Sequence, residues 1–563
     1  MLVGPIAVLL QIGAVIPPDS ARAERATPAP PAKAARAARA ARAAQARFET
    51  IRRAHLPRNP NGGSYGPCDA QVGRYCYWYD STQTVVVPEP RRIDDARAEL
   101  LRFLDSAATS NPSDGWVAGQ RVRYLIEGGR PMDAVAAARE CRAERWFCAA
   151  LEGLSFHVAE RYPLSDSVFA MALREMPSPR MCEWLDLRQL VDSRIARELG
   201  RADCEQRAML ADRLWTLGQP LWSVSGNDLR TEHFARQTMA LVLANSANAH
   251  GMSWSSDSRE LLLRYGWAEW FTRDETVAGL YQGPRVTGHD REPSYHFFPA
   301  MESLRGSSWL TTGSWTLREP TARSRYAPRH VKGMSALPHQ LARFPRGDSM
   351  LVAVAYRIAD TAMARDSIAA GLALYYQEKV QIPRVARNDN VMVASLPRDT
   401  AIVSIEARGA QSKRAARARY SIGPLPCGTT WCVSDLLFYR PDSAVGPVSM
   451  ERALRTAATE LRFSNREQLG VFWETQGPDS ALASMSLTVT PIRVSLARRV
   501  ATRLKLAPDL APVRLRWQTL LSAHAQHVTL HFPASARGTY RVTLMIGPRG
   551  APPMVATREI EVQ

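Results

Sequence analysis

Lysine is nearly missing from this chain: Lys33, Lys332, Lys379, Lys413 and Lys505 stand against 67 arginines in 563 residues. The net charge of +18 is therefore an arginine charge, and with so much Ala and Pro beside it the composition has the look of codon bias in a GC-rich genome. Part of that charge is local, since Arg22 to Arg58 carry ten positive and two negative side chains. A nucleic-acid binder clusters basic residues on a folded face with interleaved aromatics. The densest cluster here, KAARAARAARAAQARFETIRR, has one aromatic, so nucleic acid is disfavoured as a partner and a solvated helical or disordered arm is expected. Long apolar runs are also scarce, which excludes a membrane bundle, and 45% apolar residues exclude wholesale disorder. No phosphate-binding loop, dinucleotide fingerprint, kinase set or H-E-x-x-H pattern occurs, so no cofactor and no zincin-type metal is expected.

What is present begins with LVGPIAVLLQIGAVI (Leu2 to Ile16), the one long apolar run. Fifteen residues containing Pro5 are short for a spanning helix and suit a signal-peptide core, with Ala21-Arg22-Ala23 as a cleavage site or, failing cleavage, an N-terminal anchor. Any membrane contact is expected only there. The eight cysteines fall into neighbouring pairs: Cys68 with Cys76, Cys141 with Cys148, Cys182 with Cys204, and Cys427 with Cys432. Such pairs suit local disulfides in an oxidising compartment. No gap is two residues, as structural zinc knuckles require, so disulfides are favoured over zinc, with free thiols an alternative for Cys182 and Cys204.

From Ile93 to about Leu214 the apolar spacing is helical, as at Ala96, Leu100, Leu101 and Leu104. Breakers stand at Gly128-Gly129-Arg130-Pro131, Pro163 and Pro177 to Pro179. The series Gly153, Phe156, Phe169, Ala172, Pro177 resembles a tetratricopeptide repeat, with Ser165 in place of the usual Ala. A weaker copy carries Leu125, Gly129, Ala134, Ala138 and Cys141. Small and aromatic residues alternate in such repeats because two antiparallel helices approach closely.

Between 212 and 300, Asn227, Asp228, Glu232 and Arg236, then Ser253, Trp254, Ser256 and Asp257, then Leu261 to Gly266, resemble a bacterial domain named for a Gly-Trp-x-Thr-Asp motif. The resemblance implies a helix, the motif and a following strand over Leu261–Tyr265, in an exported or envelope-associated protein without established chemistry. Glu232 with Arg236 reads as an i,i+4 ion pair. Trp254 and Asp257 are expected to be structural: the indole closing the helix around Met239–Leu243 against that strand, the carboxylate accepting loop amides. A fully buried Trp254 would make Trp254→Ala cost about 3–5 kcal/mol.

The C-terminal part reads as β. Met350–Tyr356, Ile368–Tyr376 and Val391–Leu396 are nearly continuous apolar runs, as in strands buried on both faces. Later runs alternate, with Met485, Leu487, Val489; Val513, Leu515, Trp517; Val528, Leu530, Phe532; and Tyr540, Val542, Leu544, Ile546 on one face. The fold class is thus a multidomain α + β protein: a repeat-like helical layer, a central α/β segment and a C-terminal antiparallel β-sandwich. The expected organisation is 1–23 signal or anchor; 24–60 basic linker; 61–211 helical domain with a Cys-stapled first loop; 212–300 α/β segment; 301–345 linker; and 346–563 β-sandwich region, with a break into two units near 441–467.

Several local patterns invite a chemical reading. Gly62-Gly63-Ser64-Tyr65-Gly66 fits G-x-S-x-G but lies between Pro60 and Pro67, without the strand and helix a nucleophile elbow needs. Gly347-Asp348-Ser349 reads as a turn. His524, His527 and His531 cluster, yet strand positions four apart lie about 13 Å from each other, too far to share one ion. Trp254, Trp267 and Trp270 read as core in preference to a binding surface. No residue is assigned a catalytic, cofactor or metal role. The expected function is an exported, non-catalytic scaffold that binds a protein partner. The alternatives are a secreted hydrolase with a dispersed active site, and a polyanion-binding protein acting through the arginine-rich arm.

Overall fold

The computed structural model describes residues 32–59, 68–77, 86–274, 285–290, 294–304, 309–383, 386–388, 390–428, 431–442, 445–477, 482–493, 511–520, 525–533, 536–550 and 552–563. The signal or anchor segment, Gly62 to Gly66 and His524 lie outside the described residues.

The helical part comprises α1 (Ala32–His55), α2 (Arg91–Ser110), α3 (Gly115–Glu127), α4 (Pro131–Glu140), α5 (Arg145–Val158), α6 (Tyr162–Glu175), α7 (Ser178–Trp184), α8 (Ser193–Arg201), α9 (Cys204–Gly218), α10 (Asp228–Leu243) and α11 (Ser256–Tyr265). Two short hairpins accompany them, β1 (Ala70–Val72) with β2 (Tyr75–Tyr77) and β3 (Trp270–Asp274) with β4 (Arg285–His289). The breakers act as their chemistry dictates. Gly129, at φ +70°, ends α3, and Pro131 and Pro163 sit in the first turns of α4 and α6.

The arginine-rich stretch is not a linker. It forms α1, whose Ala34, Ala41, Ala44 and Phe48 are buried in the helical layer, the small alanines admitting close packing. Its polar residues on that side are matched: Glu49 accepts from Arg123 Nη2 at 2.9 Å and Tyr124 OH at 2.8 Å, and Arg52 reaches Glu127 at 2.7 Å. A buried charge with such partners fixes position more than it adds stability.

The close helix approach expected from Gly153 is present between α5 and α6. A Cβ there would lie 2.9 Å from the Phe169 ring, and Ser165 Oγ donates to the Gly153 carbonyl at 2.8 Å. Ser165 thus replaces a methyl contact with a satisfied hydrogen bond. The strand expected at Leu261–Tyr265 is instead helix α11. Ser255 caps it by accepting from Ser258 N, and Gly266, at φ +99°, ends it. A three-leucine run fits either period, and the cap decides.

The stretch 301–345 is not a linker either. Leu310, Trp315, Tyr326 and Val331 are buried, and two strands fall within or across it: β5 (Gly333–Ala336) and β6 (His339–Arg346). With β7 (Ser349–Tyr356), β8 (Ile368–Tyr376), β9 (Lys379–Gln381), β10 (Ala386–Asn388), β11 (Val391–Pro397), β12 (Ala401–Gly409) and β13 (Arg414–Ile422) they make two sheets, ordered β10-β11-β7-β6 and β5-β13-β12-β8-β9. Val352, Val354, Leu372, Leu374, Val403 and Ile405 fill the space between them. Gly347-Asp348 is the hairpin turn between β6 and β7, with Gly347 at φ +60°.

A second sandwich follows: β14 (Cys432–Val433), β15 (Leu437–Tyr439), α12 (Met450–Arg455), β16 (Arg462–Phe463), β17 (Gln468–Gln476), β18 (Leu482–Arg493), β19 (Val513–Leu520), β20 (Ala525–His531), β21 (Gly538–Pro548) and β22 (Met554–Val562). Its sheets run β14-β17-β15, with β20 pairing β17, and β16-β22-β21-β18-β19. Val471, Trp473, Leu487, Val542, Leu544 and Ile546 form its core. The chain changes sandwich between β13 and β14, ahead of the expected break at 441–467. Two sandwiches and a helical layer make a multidomain α + β fold.

Each cysteine is bonded to its neighbour in sequence: Cys68–Cys76, Cys141–Cys148, Cys182–Cys204 and Cys427–Cys432, with Cα separations of 5.2, 5.6, 5.5 and 4.2 Å. Four disulfides point to an oxidising, extracytoplasmic environment. Among the described residues, no helix is long and apolar enough to cross a membrane.

Candidate functional site

Helix α10 runs through the helical layer and carries a cluster of buried polar side chains, Asp228, Thr231, Glu232, His233 and Arg236 among them. Asn227 starts it, its Oδ1 accepting from Arg230 N at 3.0 Å while its Nδ2 donates to the Trp215 carbonyl at 2.8 Å. One turn on, Glu232 meets Arg236 Nε at 2.7 Å and His157 Nε2 at 2.7 Å. The Arg236 guanidinium continues to the carbonyls of Leu263 at 3.1 Å and Arg325 at 2.9 Å. Burial works to raise the Glu232 carboxyl, but Arg236 and His157 prevail and hold it well below the usual carboxylate range. The expected ion pair is therefore real. Its place is the interior, where it ties α5, α10, α11 and the 295–330 stretch together.

Asp228, at the first position of α10, has no exposed surface. Its Oδ2 accepts from Tyr326 OH at 3.0 Å, and Oδ1 has no partner among the described residues. Burial pushes its carboxyl up to about 7, with Glu232 and Asp166 adding and the Tyr326 hydroxyl opposing. His330 Nδ1 lies 3.8 Å away, beyond hydrogen-bond reach, and burial, with Arg408 and Lys413 adding, pushes that imidazole down to about 4. Between about pH 4 and pH 7 the two meet as neutral groups. His233 is likewise pushed down to about 4 by burial and contacts the Trp184 carbonyl through Nε2 at 2.9 Å, which fixes that nitrogen as the donor.

Thr231, His157 and Glu232 have the connectivity of a hydroxyl–imidazole–carboxylate relay: Oγ1 to Nδ1 at 2.9 Å, then Nε2 to Oε2 at 2.7 Å. Thr231 and His157 are fully buried. Two cavities of about 20 Å³ flank Glu232 and Arg236, one beside Trp215, His233 and Tyr326, the other beside Tyr265 and Asp290. Each has room for about one water molecule. Neither is lined by Thr231 or His157. In the second, burial pushes Asp290 up to about 6, and its Oδ2 accepts from Tyr77 OH at 2.7 Å. The cluster can store a proton and a water while it clamps helices.

Trp254 and Asp257 do not join this cluster. Trp254 is half-buried against the helical core, so the fully buried indole expected from the sequence is not found. Asp257 lies in the first turn of α11, against the β1–β2 turn at Gly73, and a carboxylate there suits the positive helix terminus. Trp267 packs on the same core, and Trp270 stacks on His289 at 3.8 Å. His527 and His531 are exposed on β20, and among the described residues no group of three His, Cys, Asp or Glu side chains could hold a metal ion.

A second buried polar group joins the helical layer to the first sandwich. Arg419 on β13 donates to the Leu217 carbonyl at 2.7 Å and the Gln219 carbonyl at 3.0 Å, at the end of α9, and its guanidinium lies 3.9 Å over the Trp222 ring. Arg417 donates to the Pro220 carbonyl at 2.7 Å. Glu406 on β12 receives Trp222 N at 2.9 Å and Ser223 N at 2.8 Å and lies 3.3 Å from Arg419. Burial lowers Arg419 to about 10, with Glu406 opposing. Cations at a helix C-terminus meet its free carbonyls. The sequence carries no sign of this contact, since its partners lie 183 to 202 positions apart.

At the surface, β19 is the terminal strand of its sheet. Its Val513, Leu515, Trp517 and Thr519 pair with Val489, Leu487, Met485 and Ala483 of β18, all four of which are buried. Paired residues point to the same side of a sheet. Val513 and Leu515 thus face the core side, yet remain 60% and 42% exposed. The predicted alternation is correct in phase, but the edge overhangs the core.

No known family matches the chain, and no curated protein matches it. Among solved structures, the soluble domain of PmoD from Methylocystis sp. ATCC 49242 (Rockwell) is similar over 25% of this chain and 96% of its own length, at 11% identity and a TM-score of 0.16, too low to carry an inference.

Proposed function

We propose that this is a periplasmic or secreted scaffold that binds a protein partner through its second β-sandwich. The observation that carries the reading is β19, an edge strand of eight residues whose core-facing Val513 and Leu515 stay open to solvent while Trp517 packs on the core. Exposed long edges template pairing with another chain, and folded proteins usually cover or blunt them. The disulfides support the compartment. Helical hairpins such as α5–α6, with their tetratricopeptide-like spacing, support a scaffold role, and the Gly-Trp-x-Thr-Asp-like stretch supports an envelope setting. The test is photo-crosslinking in intact cells from probes at Leu515 and, separately, at exposed helical positions such as Met132 and Met209. Discrete protein adducts are expected. Those adducts should form from Leu515, and their absence there, whatever the helical positions capture, overturns the reading.

The Thr231–His157–Glu232 relay favours a second reading, a secreted hydrolase, and the complete burial of Thr231 and His157 weighs against it. Labelling of the folded protein by a fluorophosphonate, abolished in Thr231→Val, would establish this second reading in place of the first.

A further inference from the structure

We propose that β19 receives an extended segment of a partner protein in which acidic and apolar residues alternate, added as a sixth strand to the sheet β16-β22-β21-β18-β19. The inference rests on the protein-binding reading and specifies the partner. The strand is long enough, since eight residues at about 3.3 Å each span roughly 26 Å. Its two faces differ. Toward the core side it presents Val513, Leu515 and Trp517; on the other side it presents Arg514 and Arg516, both exposed. Arg514 reaches only the Thr488 hydroxyl, at 3.3 Å, and Arg516 has no hydrogen-bond or ion-pair partner among the described residues.

These two cations choose the occupant. Pairing two copies of β19 in a register that stacks their apolar residues would crowd four guanidinium groups on one face, and opposed like charges destabilise a strand pair. A second copy is therefore disfavoured. A strand bearing carboxylates at alternate positions matches the spacing of Arg514 and Arg516, about 6.6 Å, while its other residues cover Val513 and Leu515. Main-chain hydrogen bonds along the edge would supply affinity, and the alternate side chains specificity.

The experiment uses the full chain and two blocked octapeptides, one alternating Val and Glu, the other Val and Lys, at low salt. Binding is followed by calorimetry, and its place by hydrogen exchange at the β19 amides. The Glu peptide is expected to bind about tenfold tighter than the Lys peptide, through two exposed charge pairs against two repulsions, and to slow exchange in β19. In Arg514→Glu/Arg516→Glu, a surface change whose folding is checked by thermal unfolding, the preference should invert. Gln518→Pro, which removes a donor on the open side of β19, should abolish protection by either peptide. Equal binding of both peptides, an unchanged preference in the charge-reversed protein, or protection outside β19 overturns the inference. Adducts formed in cells from Leu515, with no peptide effect at β19, would end this inference and leave the protein-binding reading standing. Peptide binding at β19 without any adduct in cells would do the reverse to that reading.

Discussion

Asp228→Asn should make the protein more stable at pH 8 than the wild type, with little gain near pH 4. In the folded chain the Asp228 carboxyl loses its proton at about 7, against its usual 3.8. Between those values the native state holds a proton that the unfolded chain has released, so this group's contribution to stability falls as pH rises and is lost above about pH 7. At about 1.4 kcal/mol per pH unit, the full loss is about 4 kcal/mol, with roughly 3 kcal/mol of it between pH 5 and pH 8. Asparagine has no such titration and keeps an oxygen for the Tyr326 hydroxyl. The wild-type curve alone cannot reveal the effect. His233 and His330, both lowered to about 4 by burial, contribute stability that rises with pH between about 4 and their usual 6.5. They offset Asp228 in that window. The diagnostic quantity is the difference between variant and wild type, in which the histidine contributions largely cancel. Urea unfolding of both proteins at pH 4, 5, 6, 7 and 8 supplies it. Parallel curves, or an Asn variant less stable than wild type at pH 8, would refute the account of Asp228 as a carboxyl held neutral by burial.

Glu406→Gln should destabilise by about 3–5 kcal/mol, because it leaves the buried Arg417 and Arg419 without their carboxylate; calorimetry should then show the helical and β parts melting separately. Gly153→Ala should cost about 1–3 kcal/mol by driving a methyl group into Phe169, and adding Phe169→Leu should recover part of the loss in a double-mutant cycle. Replacing Cys182 and Cys204 by Ser should cost about 3 kcal/mol in urea unfolding, more than the same change at the shorter Cys427–Cys432 loop. Trp254→Ala should cost about 2 kcal/mol, below the value for a fully buried indole, since part of the ring already meets water.

The legible parts of this chain were those written in short-range pattern. Pro131 and Pro163 marked helix starts, Ile368–Tyr376 coincides with β8, and neighbouring cysteines found each other because a few intervening residues leave them little choice. The helix at Leu261–Leu263 is hidden in the sequence because three leucines carry no period and the capping Ser255 is one of several neighbouring serines. The helical alternative for the arginine-rich arm holds, but its burial is not legible, because alanine and arginine look solvated in one dimension; what buries Glu49 and Arg52 are Glu89, Arg123, Tyr124 and Glu127, which only the fold brings to them. In the α10 cluster, Glu232 and Arg236 sit one turn apart and could be paired by eye. His157, Tyr326 and His330 lie far off in sequence, and no local pattern singles them out. Buried polar groups are matched by geometry, and geometry is long-range.

The contacts of α1 also set a schedule. Arg53 donates to the carbonyl of Asn248, and Arg273 to the carbonyl of Ala54, partners separated by 195 and 219 residues. At about 5–20 residues per second of synthesis, the second partner follows the first by roughly 10–45 seconds. A helix forms in about a microsecond. Helix α1 therefore spends nearly the whole of that interval with some of its final contacts not yet made, so the earliest-synthesised of the described helices is among the last to be locked in place.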